Sequence, residues 1–148
     1  MASRKITDLH PLLQERYKAF EIECERQKLD YLVTCTYRSG IEQDQLYAQG
    51  RTTFGRIVTC AKAGDSAHNV TTADGKPNAC AFDVVIMRDG KPIWDSADKD
   101  WHSIGAVGLI LGLDWAGVWK TFREYPHFQL TNWRQYCVEN SFANHASV

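Results

Sequence analysis

The chain has no apolar run long enough to cross a membrane, no basic excess and no CxxC pair, and among its 148 residues there are only four prolines and five histidines. Each shortage removes a class of protein. A bilayer span needs about 18–20 consecutive apolar residues. The longest stretch here, residues 104–113, is interrupted by glycines and reads as buried backbone crossing a core. Lys and Arg number 17 against 18 Asp and Glu, so the basic footprint of a nucleic-acid or anionic-membrane partner is missing. Five cysteines, Cys24, Cys35, Cys60, Cys80 and Cys137, are an odd number and speak against both a disulfide framework and a thiolate metal knuckle. They are expected to be reduced and mostly buried. The N-terminus has positive charge but no apolar segment behind it, so no signal peptide is expected and the chain is placed in the cytoplasm. With no repeat, low-complexity tract or linker, it reads as one domain over residues 1–148, with a core at about 8–130 and a polar tail at 131–148.

What is present is an ordinary globular composition, 44% apolar and 24% charged. Leu9, Leu12, Leu13, Tyr17, Phe20 and Cys24 recur at helical spacing and predict a helix within residues 6–29, capped by Thr7 or Asp8, with Pro11 in its first turn. Residues 31–37, β-branched and aromatic, predict a strand ending at Arg38; residues 42–49 predict a second helix closed by Gly50. A short strand-like piece at 57–59 and an Asp74-Gly75 hairpin turn follow. Residues 81–87 read as a strand with Ala81, Asp83, Val85 and Met87 on one face, turning back through 88–91 into a return strand at 92–94. Residues 100–113 look helical, 114–119 form an aromatic-glycine turn, 127–130 a last strand, and 133–137 a short helix.

An acid on an otherwise apolar strand face needs a partner, since burying a carboxylate unpaired costs several kcal/mol. Asp83 therefore points to a metal ion or to a basic residue such as Arg38 or Arg88. His68, Asp83 and His127 together offer the mixed nitrogen and oxygen donors of a hydrolytic zinc site that keeps one position open. Glu124, three residues before His127, is placed to take a proton from water, provided that Pro126 bends the chain so that both reach one cavity. Arg38, at a strand end, suits an oxyanion. Cys80 lies three residues before Asp83, close enough to stray toward a metal. Each residue also has a plainer reading: His68 as a hydrogen-bonded loop residue, Asp83 as half of an ion pair, Gln43 as solvated, Ser66 as a helix cap. The tryptophans Trp94, Trp101, Trp115 and Trp119 could be core or pocket wall.

The run Thr34-x-Thr36-Tyr37-Arg38-Ser39-x-x-Glu42-Gln43-x-x-Leu46-Tyr47-x-Gln49-Gly50-Arg51-Thr52 resembles the signature of phage L-alanyl-D-glutamate peptidases. These are endolysins of the zinc peptidase group that includes the D-alanyl-D-alanine carboxypeptidases and dipeptidases. Ser66-Ala67-His68, Ala81-Phe82-Asp83, the glycine-aromatic block 111–119 and Pro126-His127-Phe128-Gln129 follow in the same order. The resemblance implies a small α+β domain in which helices pack on a central antiparallel sheet, as in Hedgehog-type and D,D-peptidase folds. It implies zinc on His68, Asp83 and His127, Glu124 as catalytic acid and base, Arg38 at the transition state, and Gln43, Ser66 and Trp115 at the substrate. The implied activity is hydrolysis of the L-alanyl-D-glutamate bond of peptidoglycan stem peptides to lyse a host. The implied protein is a monomer without a wall-binding domain or stable membrane association, dependent on a holin-type permeabiliser. A D,D-carboxypeptidase or dipeptidase on the same zinc site is the alternative. A wall-binding module with structural zinc is a further one, which would not need Glu124 and Arg38. Two departures stand out. His68 and Asp83 are 15 residues apart, a longer span than in relatives, expected to reshape the mouth of the site. The block 114–119 also differs from the family pattern, which bears on substrate preference.

Overall fold

Residues 1–138 are described in the computed structural model. Helix α1 (Pro11–Arg26) begins at its proline, whose missing N–H has no intrahelical partner to lose. The residue before a proline is driven out of the helical region, and His10 accordingly sits at φ −52°, ψ 140°. His10, rather than the expected Thr7 or Asp8, is therefore the cap: its Nδ1 accepts the Leu12 N–H at 3.1 Å. Thr7 and Asp8 belong to a separate 3-10 turn, Ile6–Asp8. Leu13, Tyr17, Phe20 and Cys24 form the buried stripe of α1.

Strand β1 (Tyr31–Cys35) stops short of Tyr37 because Thr36 and Tyr37 pair instead with Ser3, through Thr36 N–H to the Ser3 carbonyl at 2.7 Å and Ser3 N–H to the Tyr37 carbonyl at 2.8 Å. Helix α2 (Gly40–Ala48) opens on a reciprocal capping box between Ser39 and Glu42. The piece at 57–59 forms no strand, and Ile57 and Val58 are exposed. Strand β2 (Ala81–Arg88) turns through Asp89 and Gly90, at φ 52° and 73°, into β3 (Lys91–Ile93), the paired positive φ that a two-residue hairpin requires. Helix α3 (Lys99–Ile110) is capped by Asp98. The segment expected to be only a turn holds β4 (Leu113–Trp115) and a 3-10 turn, Ala116–Val118. Strand β5 (His127–Leu130) and a 3-10 turn, Trp133–Tyr136, follow. Residues 139–148, the rest of the expected tail, lie outside the described residues. No helix among the described residues is long and apolar enough to cross a membrane.

The strands make one antiparallel sheet in the order β1-β2-β5-β4, with β3 added to the end of β2, so the domain is α+β. Its register decides the two faces. Phe82 lies opposite Phe128, and their rings stack at 5.4 Å under Phe20 of α1. Helix α3 closes on the same face through two glycines. A Cβ at Gly108 would lie 2.4 Å from the Phe128 ring, and one at Gly105 would lie 2.5 Å from the Trp115 ring, so no larger residue fits that approach. The apolar run 104–113 is thus largely helix, and its Leu109 and Ile110 reach solvent rather than core. One residue later on β2 and one earlier on β5, the other face presents Asp83 opposite His127.

Candidate active site

Asp83 occupies the middle of a row across the sheet, with Cys35 of β1 on one side and His127 of β5 on the other. His68 descends onto this row from a 3-10 turn, Ala67–Asn69, whose first N–H groups are met by the Ser66 hydroxyl, which accepts the His68 N–H at 3.2 Å. The turn is moored by Arg38 N–H to the His68 carbonyl at 3.0 Å and by Asn69 Nδ2 to the Arg38 carbonyl at 2.8 Å. His68 Nε2 then lies 3.2 Å from Asp83 Oδ1 and 3.3 Å from His127 Nδ1, and His127 Nδ1 lies 2.9 Å from Asp83 Oδ1.

The outer nitrogens of both rings are committed elsewhere. His68 Nδ1 donates to the Thr36 carbonyl at 2.6 Å, and His127 Nε2 donates to Gln129 Oε1 at 2.8 Å. In the neutral ring each bond fixes the tautomer whose inner nitrogen is free to bind a metal, as the outer-shell partners of metal-binding histidines do. Two lone pairs and a carboxylate oxygen therefore converge, an arrangement that calls for a cation or a proton between them. Zinc with bonds of about 2.0–2.1 Å spaces tetrahedral ligands by about 3.3–3.4 Å, which the three observed separations approach. The residues fit such an ion with one position open. Cys35 Sγ also belongs to a group of potential donors, within 4.8 Å of atoms of His68 and Asp83. It lies 3.6 Å from His68 Nδ1, the nitrogen already bonded to Thr36, so the His68, Asp83 and His127 triangle is the more coherent set.

The electrostatics follow from this crowding. Burial works against an imidazolium at His68, but Asp83 more than offsets it and raises the group to about 10. Burial likewise works against the Asp83 carboxylate, yet His68 and His127 hold it well below the ordinary carboxylate range.

Arg38 stands beside the triangle, its Nη2 3.9 Å from Asp83 Oδ2 and 3.5 Å from Cys35 Sγ. Gln43 of α2, expected at the substrate, is instead completely buried. Its Oε1 accepts from Arg38 Nη1 at 3.0 Å, while its Nε2 donates to the Ala61 carbonyl at 2.7 Å and to Thr59 Oγ1 at 3.3 Å. With every amide atom engaged, it holds Arg38 and has no surface left for a ligand.

Tyr125 and Pro126 turn the chain so that Glu124 and His127 line the same cleft, of about 570 Å³, together with Ser66, Trp119, Phe122 and Gln129. Burial pushes the Glu124 carboxyl above its ordinary value, partly opposed by His127. Arg38 and Asp83 open to a second cavity of about 530 Å³ on the other side. A larger surface groove between α1 and β1 contains no histidine or cysteine and offers no comparable chemistry.

Trp115, also expected at the substrate, is a core residue. It lies opposite Phe128 on the helix-covered face, 3% exposed, and donates its Nε1–H to the Tyr125 carbonyl at 2.8 Å. Trp119, not Trp115, lines the cleft, its ring 5.6 Å from that of His127. Cys80 does not stray toward the cluster: it is fully buried, with its thiol 3.7 Å from the Asn78 carbonyl. The cysteine beside the site is Cys35, which sequence reading missed because only the pairing of β1 with β2 sets it against Asp83. Gln129 was also missed, although its place two residues after His127 on a strand puts it on the same face. The long segment between His68 and Asp83 closes on itself, with Asn78 N–H to the Val70 carbonyl at 2.9 Å and a Thr71–Pro77 bridge. It therefore leaves the ligand spacing undisturbed, and none of residues 70–78 lines the cleft.

Asp83 and His127 on the sheet and His68 on the turn above them, with the Glu124 carboxylate in the cleft that His127 lines and Arg38 beside Asp83, have the layout of a metal-assisted hydrolase. The comparisons point the same way. CwlK of Bacillus subtilis (strain 168), a peptidoglycan L-alanyl-D-glutamate endopeptidase, is 35% identical over 132 residues, covering 84% of this chain and 74% of CwlK. The crystal structure of ChiX, the L-Ala D-Glu endopeptidase of Serratia marcescens, shares the fold, with a TM-score of 0.60 over 93% of each chain at 19% identity. No family model matches the chain. The chain belongs to the family of L-alanyl-D-glutamate endopeptidases that includes CwlK.

Proposed function

We propose that this protein is a zinc-dependent peptidoglycan endopeptidase that hydrolyses the L-alanyl-D-glutamate bond of stem peptides, in the lytic role of a phage-type endolysin. The observation that carries the reading is the convergence of His68, Asp83 and His127 to within 3.3 Å, beside the cleft that His127 lines together with Glu124. His68, Asp83 and His127 would hold the zinc, which would supply Lewis-acid polarisation of the scissile carbonyl and acidify the attacking water toward a pKa of about 7.

The chain's own groups do the rest. Glu124 accepts the proton of the attacking water and returns it to the leaving amine, and its burial-raised pKa suits the return step. Arg38, kept in place by Gln43, meets negative charge that develops on the carbonyl oxygen. Thr36 and Gln129 hold the two imidazoles in the tautomers the site needs. Ser66 orders the turn that delivers His68. Reaching the wall through a holin-type permeabiliser, and acting there as a monomer, complete the proposed lytic role.

The test is mass spectrometry of products from purified muropeptides. Wild type should cut between L-alanine and D-glutamate, whereas Glu124→Ala should retain zinc and lose about 10²–10⁴ in rate. Release of free D-alanine with the L-Ala–D-Glu bond intact would instead establish a D,D-carboxypeptidase.

A further inference from the structure

We infer that Arg134 reads the free carboxylate of the glutamyl residue whose amine is released, a specificity role that rests on the endopeptidase reading above. Arg134 lies on the 3-10 turn after β5 and lines the cleft with Glu124, His127 and Ser66. It is the one lysine or arginine among the described residues lining that cleft; Arg38 lines the other cavity. The other charged side chains lining it are Asp65 and Glu124, two carboxylates, so apart from the metal position at His127 it is Arg134 that offers an acidic ligand a positive side chain.

Its side chain is positioned yet not consumed. The guanidinium carbon lies 4.5 Å over the ring of Trp133, itself only 9% exposed, so a packed aromatic supports the plane and leaves the donor edge free. Among the described residues the acid paired with it is Asp65, at 3.7 Å, and with side chains 61% and 59% exposed that pair is a weak surface contact that a ligand carboxylate can replace. A planar fork of donors is the group that binds carboxylate in two-point fashion.

The substrate's chemistry supplies the counterpart. A glutamyl residue linked through either of its carboxyl groups keeps the other outside the chain. In hydrolysis of the alanyl-glutamyl bond the glutamyl residue carries the leaving amine, and that amine must lie at Glu124, the group that returns its proton. The free carboxylate is then delivered to the cleft that Glu124 and Arg134 share.

Two synthetic stem-type peptides test this, one with the glutamyl carboxylate free and one with it amidated. Wild type should prefer the free acid in kcat/KM by about tenfold or more. Arg134→Gln should bring the ratio toward one, mainly by raising KM for the free acid with kcat held; Arg134→Lys should keep part of the preference; Asp65→Asn should lower KM for the free acid. A wild-type enzyme without preference, or an Arg134→Gln enzyme that keeps the wild-type ratio while both rates fall together, overturns the assignment. Failure of wild type to cut either peptide would instead remove the endopeptidase reading itself.

Discussion

Phe82 and Asp83 are consecutive on β2, and their partners Phe128 and His127 are consecutive on β5, yet the two pairs answer to different physics. On the helix side the requirement is shape. Phe20, Phe82, Phe128 and Trp115 fill the space that Gly105 and Gly108 leave open, and each large apolar side chain fully buried there contributes about 1.5–3 kcal/mol. On the other side the requirement is charge balance: Asp83 is tolerated because His68, His127 and Arg38 surround it. A strand's two-residue period thus separates stability from chemistry within a single peptide unit.

Substitution on each face should separate the two most sharply. His127→Ala should lower hydrolysis of purified cell wall by about ten-thousand-fold while changing unfolding free energy by only about 1 kcal/mol. A comparable loss of stability and activity together would show that the polar face also holds the fold. The converse variant, Phe82→Ala, should cost about 3–5 kcal/mol in urea unfolding, with the folded fraction still binding zinc in wild-type stoichiometry. A smaller effect attaches to Gln43, which acts on the site through Arg38. Gln43→Ala should reduce kcat by roughly tenfold with KM nearly constant, because it releases the guanidinium rather than a substrate contact. If KM rises instead, Gln43 touches substrate after all.

The smallest effect concerns a proton. In the metal-free chain Asp83 outweighs burial and raises His68 from 6.5 to about 10. A raised histidine contributes stability that is complete below pH 6.5 and lost as pH rises through about 10. Zinc must displace that proton, so its affinity should climb with pH across the same window. Binding near pH 6, where a zinc-bound water is still largely protonated, should release about one proton, read by calorimetry in buffers of different ionisation heat. Zinc uptake with no proton released would mean that the triangle does not hold one.

Much of the helix-side architecture was legible from periodicity: the stripe of α1, the alternation of β2 and the span of α3 all follow apolar spacing. The motif blocks likewise placed His68, Asp83, Glu124 and His127 in candidate roles; His68 and Asp83 contact His127, and His127 shares a cleft with Glu124. Less legible were residues whose meaning depends on a neighbour distant in sequence. Trp115 sits on a three-residue strand, too short to show alternation, and its face is set by pairing with Phe128. Gln43 looked solvated or ligand-binding until the loop carrying Thr59 and Ala61 closed over it. Arg134 lay in what read as a polar tail, and only the return of that segment past β5 brings it to the cleft.

By itself, the sequence determined which residues could hold a metal, which could move a proton and which strand faces could be apolar, since these follow from side-chain chemistry and local period. The tertiary structure alone decided that Cys35 rather than Cys80 stands beside Asp83, that Trp119 rather than Trp115 walls the cleft, and that Gln43 serves Arg38. The reason is register: shifting a strand by one residue exchanges its two faces, and register is fixed by contacts between segments far apart in the chain.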